Sequence, residues 1–486
     1  MALLEWLRRP VAVGRRTGVV AGRRVVAGRR LVAAPGSVVA RTLVAVAAAV
    51  AVAAVAGSLW VPVTRSAGAA VTPPVTRAAL PPGAITHIFV LDIENEGFAS
   101  TYGPTSPATY LNHTLRRHGV LIEHYYAIGH DSADNYIAQV SGQAPNPATQ
   151  NDCADSGFVD VSPGADDPSP VTNPGQVDGS GCVYPAPSRR RHGAPTIADQ
   201  LDAAYPPDSR TRVAAWRAYV EDMGNDPGRD GGKVDRSGGT DCAHPAVGGA
   251  DRAESAVAGD QYVLRHDPFV HFRSIIDHAA LCDANVVPMG SLGPGGRPRR
   301  SGHLARDLAR AATTPKFAFL VPNVCDDGHD ATCVGTNDSG THAGGLVAVD
   351  SWLRHWMPLV LSSPAYRNGS LMVVITADEA DIDPGDPRYA AACCNEQPGP
   401  NTRAPGDVAA PTDDAPGGGQ VGALVLDARY VRGGSLDSTG YYNHYSALRS
   451  YEDLLGITAG WTDGAGHLGF AAAPGLAPFG PDVFDR

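Results

Sequence analysis

VLIEHYYAIGHDSADNYIAQVSGQ, residues Val120 to Gln143, is the stretch on which the reading of the fold turns. Val120-Leu121-Ile122 is a short apolar run, and His124-Tyr125-Tyr126 continues it in the manner of a strand. Ala127-Ile128-Gly129 breaks the pattern with small residues. Beyond His130-Asp131-Ser132, the residues Tyr136, Ile137 and Val140 fall at helical spacing. Ser132 therefore stands where a strand hands over to a helix. Unpaired backbone N–H groups and the positive end of the helix dipole gather at such a point and make a seat for a phosphate. Taken alone, the same serine also reads as an N-cap or a loop hydroxyl.

Outward from this stretch, apolar runs and helical patterns alternate. His87-Ile88-Phe89-Val90-Leu91-Asp92-Ile93 reads as a buried strand ending in Glu94-Asn95-Glu96, and a helix is expected over Ala108–His118. Thr196–Ala204 reads as a helix, and Arg212–Tyr219 as a strand with Glu221-Asp222 at its end. Tyr262–Ile276 mixes aromatic residues with two histidines. The strand Lys316–Pro322 runs into Asn323-Val324-Cys325-Asp326-Asp327-Gly328-His329-Asp330. A helix over Leu346–Leu361 leads to the strand Leu371–Thr376, which ends in Asp378-Glu379. The strand Gly422–Leu426 and the helix Tyr445–Leu455 close the pattern, with Asn443-His444 just before that helix. Residues 144–194 and 384–419, rich in Pro, Gly and Asp, read as long loops. Such alternation predicts an α/β fold, a mostly parallel central sheet with helices on both faces. Loops that leave the C-terminal ends of parallel strands share one edge, so the polar clusters are expected to converge there.

The N-terminal part has a different character. Ten arginines and a single acid, Glu5, precede residue 66, and the remainder carries 29 basic against 49 acidic residues, close to −20. An acidic body excludes a phosphate-backbone partner, so no nucleic acid is expected. Residues 1–42 form a basic segment. Leu43 to Val63 is an uncharged apolar run long enough to span a bilayer, a transmembrane signal anchor or the core of a signal peptide. The positive side before it places the bulk of the chain outside the cytoplasm. A linker, 64–84, then leads to a catalytic domain at 85–486. The eight cysteines suit an oxidising, extracytoplasmic setting, and no CxxC pair is present. Nearest-neighbour pairing is the preferred arrangement: Cys153 with Cys182, Cys242 with Cys282, Cys325 with Cys333. Cys393-Cys394 either bond to each other or elsewhere.

Glu94, Asn95, Asp378 and Glu379 offer hard oxygen donors, suited to one divalent cation, with Ca²⁺, Mg²⁺ or Mn²⁺ favoured over Zn²⁺. A cation there would lower the pKa of Ser132 and take charge from a phosphoryl oxygen. Asp327, His329 and His444 are placed to orient a substrate or protonate a leaving oxygen. Beside this reading stands a resemblance. HIFVLDIENEGF, HYYAIGHDSADNYIAQVSGQ, RHDPFVHF, VPNVCDDGHD, ITADEAD, GALVLDARYV, YYNHYSALRSYEDLLGI and APFGPDVF follow one another between about residues 87 and 484. In this order they resemble the bacterial phosphoesterase family that joins acid phosphatases and phospholipases C, within the alkaline-phosphatase-like superfamily.

The resemblance implies Ser132 as nucleophile and metal contact, with Glu94, Asn95, Asp378 and Glu379 as the other metal ligands. It also implies phosphate-side or leaving-group roles for Asn135, His266, Asp327, His329 and His444. One departure is Asp131, where similar members of the family have proline; the loop 384–419 also looks longer than usual. The expected activity is phosphomonoester hydrolysis through a phosphoserine, as in an acid phosphatase, on a small phosphorylated substrate. The first alternative is a phospholipase C acting on a phospholipid headgroup. Members with that activity carry further C-terminal β-domains, whereas this chain ends at Arg486, which favours monoesters. The second is a non-catalytic envelope protein that binds through the same fold, held to the membrane by its N-terminal segment.

Overall fold

The computed structural model describes residues 77–484 except 163–173, 189–192, 207–213, 235–239, 294–296, 299–301, 382–387, 390, 401 and 403–416. The expected basic segment, the apolar run 43–63 and most of the linker lie outside the described residues. Among the described residues no helix is long and apolar enough to cross a membrane.

Eight strands form the central sheet: β1 (His87–Ile93), β2 (Gly119–Tyr126), β3 (Trp216–Val220), β4 (Val286–Pro288), β5 (Phe317–Val321), β6 (Leu371–Ala377), β7 (Ala423–Leu426) and β8 (Ser435–Asn443). Across the sheet they are ordered β8-β2-β7-β6-β1-β5-β3-β4. Only β7 runs against the rest, pairing antiparallel with β6 and β2. The other pairs are parallel. β1, β5 and β6 are almost wholly buried, which explains why they read as continuous apolar runs without alternation. The fold is α/β with a mostly parallel sheet, as the alternation predicts.

The longer helices among the described residues are α1 (Ser132–Ser141), α2 (Ile197–Ala204), α3 (Gly345–Ser362) and α4 (His444–Leu454). Every residue of α1 is buried, and the helix stops at Gly142, whose φ of 68° gives the left-handed C-terminal turn. α2 begins in a capping box between Thr196 and Asp199. α4 begins at Asn443, whose side chain caps the amide of Ser446.

Locally, one reading changes and elements appear where none was read. The helix expected over 108–118 divides at Thr114 into an α-turn, Thr109–His113, and a 3₁₀ turn, Leu115–His118. Tyr262–Ile276 forms two 3₁₀ turns and one short helix. β8 and β4 carried no strand signal. β8 is an edge strand with a register shift between Asp437 and Tyr441, and Gly440 lies inside that break.

All eight cysteines are paired: Cys153–Cys182, Cys242–Cys282, Cys325–Cys333 and the adjacent Cys393–Cys394.

Candidate active site

The sheet ladder continues by single backbone bonds past the strand ends. Asp378 donates its amide to Ile93 O at 3.1 Å, and Glu94 donates to Asp327 O at 2.9 Å. The first polar residues after β6 and β1, Asp378 and Glu94, are thereby held beside Asp327 from the turn after β5. Gly328 allows the turn behind Asp327: its φ of 115° is open to glycine, and a Cβ there would meet Glu94 O at 3.2 Å.

Ser132 opens α1 at the same edge. Its Oγ donates to Glu94 Oε2 at 2.9 Å. His266 Nε2 lies 3.4 Å from the same oxygen, and His266 Nδ1 lies 3.0 Å from Asp327 Oδ2. The His266 ring is wholly buried and stacks on Tyr136, with centroids 5.2 Å apart and planes 2° from parallel. Since a carboxylate accepts, the shorter contact places the imidazole proton on Nδ1 and leaves Nε2 facing Glu94. Four separate segments thus supply one polar chain, Ser132–Glu94–His266–Asp327. Asp378 lies next to it, its Oδ1 accepting the backbone amide of Asn95 at 3.0 Å. Asn95 has a φ of 55°, a left-handed conformation that asparagine tolerates.

The electrostatics of this group are one-sided. Burial first, then Asp378 and Asp327, push the Glu94 carboxyl well above its ordinary range. Burial raises Asp378 to about 6. Glu379 is driven well up by burial and then by Asp378, Asp152, Asp134 and Asp131. Glu94 Oε1, Asp378 Oδ2, Glu379 Oε2 and His266 Nε2 are buried without a hydrogen bond. Buried charge left uncompensated costs several kcal/mol per ion, on the order of the cost of breaking a buried pair. These orphaned donors therefore fit a divalent cation. The donor set differs from the all-oxygen shell expected from sequence. Glu94, His266 and Asp327 each offer one ligand atom within 4.8 Å of the others, so an imidazole stands within the group. A mixed nitrogen and oxygen set suits zinc as well as the hard cations and weakens the preference against it.

The remaining expected residues are used in other ways. Asn135 spends its amide on the backbone that leads into α1. Its Oδ1 accepts from Ile128 and Gly129, and its Nδ2 donates to Gly129 O and Asp131 O. His444 is fully buried, with Nε2 donating to Asp378 O at 2.8 Å and Nδ1 accepting from Tyr125 at 3.2 Å. Burial lowers it to about 4, so it is neutral and supports the Asp378 backbone. His329 stands at the rim, between Asp330 at Nδ1 and Arg265 at Nε2.

Arg265 and Asp152 had no place in the sequence reading. Arg265, only 8% exposed, reaches the rim beside His329, and Asp152 accepts the amide of Ala133 at 2.9 Å. A charged triplet, Arg265-His266-Asp267, set in an apolar segment was the available signal, because a buried arginine needs partners. Also unforeseen was a second acidic group. Glu221, Asp326 and Asp338 offer ligand atoms within 4.8 Å of one another. They line a cavity of about 580 Å³ together with Asp222, Asn323 and Asn337. Asp326 and Asp327, neighbours in sequence, thus belong to different groups.

No family model matches the chain. A stretch of 269 residues, 55% of this chain, is 23% identical to the phosphate-repressible acid phosphatase of Penicillium chrysogenum. The match spans 42% of that protein's length, so less than half of the relative is represented. Among solved structures, a protein of the alkaline phosphatase superfamily from Vibrio parahaemolyticus aligns over 77% of this chain and 68% of its own, with 13% identity and a TM-score of 0.37. A sulfatase from Pseudoalteromonas sp. aligns over 76% and 68%, with 10% identity and a TM-score of 0.36. The alkaline phosphatase of the Antarctic bacterium TAB5 aligns over 76% and 97%, with 11% identity and a TM-score of 0.30.

Proposed function

We propose that the chain is an exported, metal-dependent phosphoesterase of the alkaline-phosphatase-like superfamily, hydrolysing phosphomonoesters through a phosphoserine at Ser132. The observation that carries this reading is the Ser132 hydroxyl. It sits at a helix N-terminus and is hydrogen-bonded to the buried Glu94 carboxylate at 2.9 Å, amid carboxylate oxygens that lack partners. Serine is a poor nucleophile at its own pKa and needs such a neighbour to take or share its proton. The partial likeness to an acid phosphatase supports the same substrate class.

On this reading Ser132 Oγ forms the bond to phosphorus as the bond to the leaving oxygen breaks in line, and its proton passes toward Glu94 Oε2. His266, fixed through Nδ1 by Asp327, turns Nε2 toward Glu94. Asn135 shapes the loop 128–131 so that Ser132 is presented at the helix start. His329 stands at the rim, where a leaving oxygen departs. A divalent cation held by Glu94, Asp378 and Glu379, with Asn95, His266 and Asp327 at hand, would lower the hydroxyl pKa and offset charge on the phosphoryl oxygens. Water then cleaves the phosphoserine and regenerates the hydroxyl. The paired cysteines suit an extracytoplasmic setting. The apolar run before the linker gives the route out of the cytoplasm, as an anchor or as a cleaved signal.

The test is a parallel assay of p-nitrophenyl phosphate, p-nitrophenyl phosphocholine and p-nitrophenyl sulfate, with acid-quenched mass spectrometry of the Ser132 peptide. Turnover of the first, with phosphate trapped on Ser132, is expected. Preference for the phosphocholine ester favours the phospholipase alternative, and turnover of the sulfate ester alone overturns the proposal.

A further inference from the structure

Asp152 lies 20 residues beyond Ser132 in sequence, on a loop, yet its carboxylate sits at the first turn of α1. Oδ1 accepts the N–H of Ala133, the residue after the nucleophile, at 2.9 Å. Oδ2 lies 3.3 Å from Arg265 Nε. Arg265 is held by its other nitrogens: NH1 donates to Glu254 O at 2.7 Å, and NH2 donates to His329 Nε2 at 3.0 Å. Its Nε is buried, makes no hydrogen bond and lies within ion-pair distance of the carboxylate that the Ala133 amide meets at its other oxygen. A helix amide one residue after Ser132 and a buried guanidinium nitrogen, both set against one carboxylate, are the kinds of donor that a tetrahedral oxyanion would use.

We infer that Asp152 is a built-in competitor for the anionic oxygens of the substrate, occupying the seat between Ala133 N and Arg265 Nε until substrate displaces it. The inference rests on the phosphoesterase reading for the identity of the anion. Two features mark the carboxylate as a placed stand-in rather than an ordinary cap. Asp152 and Cys153 have φ of 45° and 67°, left-handed conformations that non-glycine residues adopt at a cost, and the Cys153–Cys182 bridge holds them. The carboxylate also faces like charge: it adds to the upward push on Asp134, Asp378 and Glu379. Among the described residues its side-chain partners are the Ala133 amide and Arg265, and both are what a substrate oxyanion would take over.

A seat filled by its own side chain about nine-tenths of the time weakens apparent anion affinity about tenfold. Asp152→Asn keeps an oxygen for the Ala133 amide and removes the charge. Titration calorimetry with inorganic phosphate should show binding about tenfold tighter than in the parent. KM for p-nitrophenyl phosphate should fall with it, by more than kcat changes. Arg265→Gln should weaken phosphate binding, and in the double variant the gain from Asp152→Asn should disappear. Asp152→Ser, whose hydroxyl still reaches toward the amide, serves as a second variant should the asparagine form fail to fold. A lower melting temperature with phosphate affinity unchanged or weaker would make Asp152 a structural cap only and overturn the inference, as would absence of phosphate binding in every variant. If no ester is turned over but Asp152→Asn still tightens phosphate, the phosphoesterase reading fails and the competitor stands. Turnover in the parent with no gain in the variant gives the reverse.

Discussion

Asp326 and Asp327 are adjacent in sequence, and they divide the C-terminal edge of the sheet into two acidic regions that differ in how their charge is met. Asp327 turns toward Glu94, His266 and Asp378, into a region where buried carboxylate oxygens lack hydrogen bonds and a neutral histidine stands among them. Asp326 turns toward Glu221 and Asp338, beside an open cavity, and there the acceptors are largely supplied. Trp352 Nε1 donates to Glu221 Oε2 at 2.9 Å, the Asp338 amide donates to Asp326 Oδ1 at 3.1 Å, and His355 lies 3.3 Å from Asp338. Acid count does not separate the two regions. What separates them is where the orphaned atoms gather: the first collects several around a hydroxyl at a helix start, while in the second Asp338 Oδ2 lacks a hydrogen bond and Glu221 Oε2 and Asp326 Oδ1 take N–H groups of the protein. The first is the candidate for chemistry.

The largest break between the regions should come from Ser132, the proposed nucleophile. We expect Ser132→Ala to lower kcat/KM for p-nitrophenyl phosphate by about a thousandfold or more. The circular dichroism spectrum should stay that of the parent, because alanine removes only one hydroxyl from a helix start. Activity near that of the parent would remove Ser132 from its role. Next, Asp378→Asn, which keeps volume and removes one negative charge, should cost about a hundredfold, with part recovered at high metal concentration. Asp326→Asn, in the other region, should cost less than about threefold. Equal losses in the two variants would erase the distinction drawn from their partners.

Much of the first region was legible because parallel strands are near-continuous apolar runs, so the first polar residue after each marks the edge where sites form. Glu94 and Asp378 were found in that way, Asp327 in the polar cluster after β5, and Ser132 by the change of period from strand to helix. The split between Asp326 and Asp327 was not legible. It depends on a turn in which Asn323 Oδ1 takes the amides of Cys325 and Asp326, and sequence spacing does not give the direction of a side chain there. His444 was read by type as substrate-facing, and Asn135 took such a role only through the family resemblance. In the structure their polar atoms are taken by backbone groups and, for His444, by a tyrosine hydroxyl as well, a choice that local sequence does not determine. Arg265 and Asp152 meet across more than one hundred residues of chain, beyond the reach of any periodicity. β8 was hidden by its composition, since Asp437 and Gly440 are poor strand formers tolerated at an edge.

Cation binding sharpens the comparison at intermediate size. Ligand bound only to the folded state raises stability by about 2.7 kcal/mol at one hundred times Kd. After removal of metal by a chelator, adding back Mg²⁺, Ca²⁺, Mn²⁺ or Zn²⁺ in turn should raise the melting temperature with at least one of them. Asp378→Asn should abolish most of that rise and Asp326→Asn should leave it in place. A rise lost in Asp326→Asn and kept in Asp378→Asn would move the cation to the cavity side. The response to Zn²⁺ also measures the weight of His266 as a donor.

The smallest expected effect concerns pH and belongs to the second region. Burial, followed by Asp338, raises the Asp326 carboxyl to about 8. In the unfolded chain an aspartate titrates near 4, about 3.9. Between those values the folded state holds a proton that the unfolded state has released. Stability contributed by that proton is therefore complete below about pH 4 and declines as pH rises toward about 8. Asp338 is also raised, chiefly by burial and against the pull of His355, so the two acids share the transition and the decline is spread across the window. Asp326→Asn removes a titrating carboxyl and, with Oδ1 in place, still accepts the Asp338 amide. Its melting temperature should fall less than that of the parent between pH 5 and pH 8.5, by a margin on the order of 2–5 °C. The comparison is best made in the metal-free protein, so that a cation in the first region adds no slope of its own. A fall of the same size in both proteins would show that Asp326 is already ionised at pH 5, and that the hydrogen bonds around it meet its charge in full.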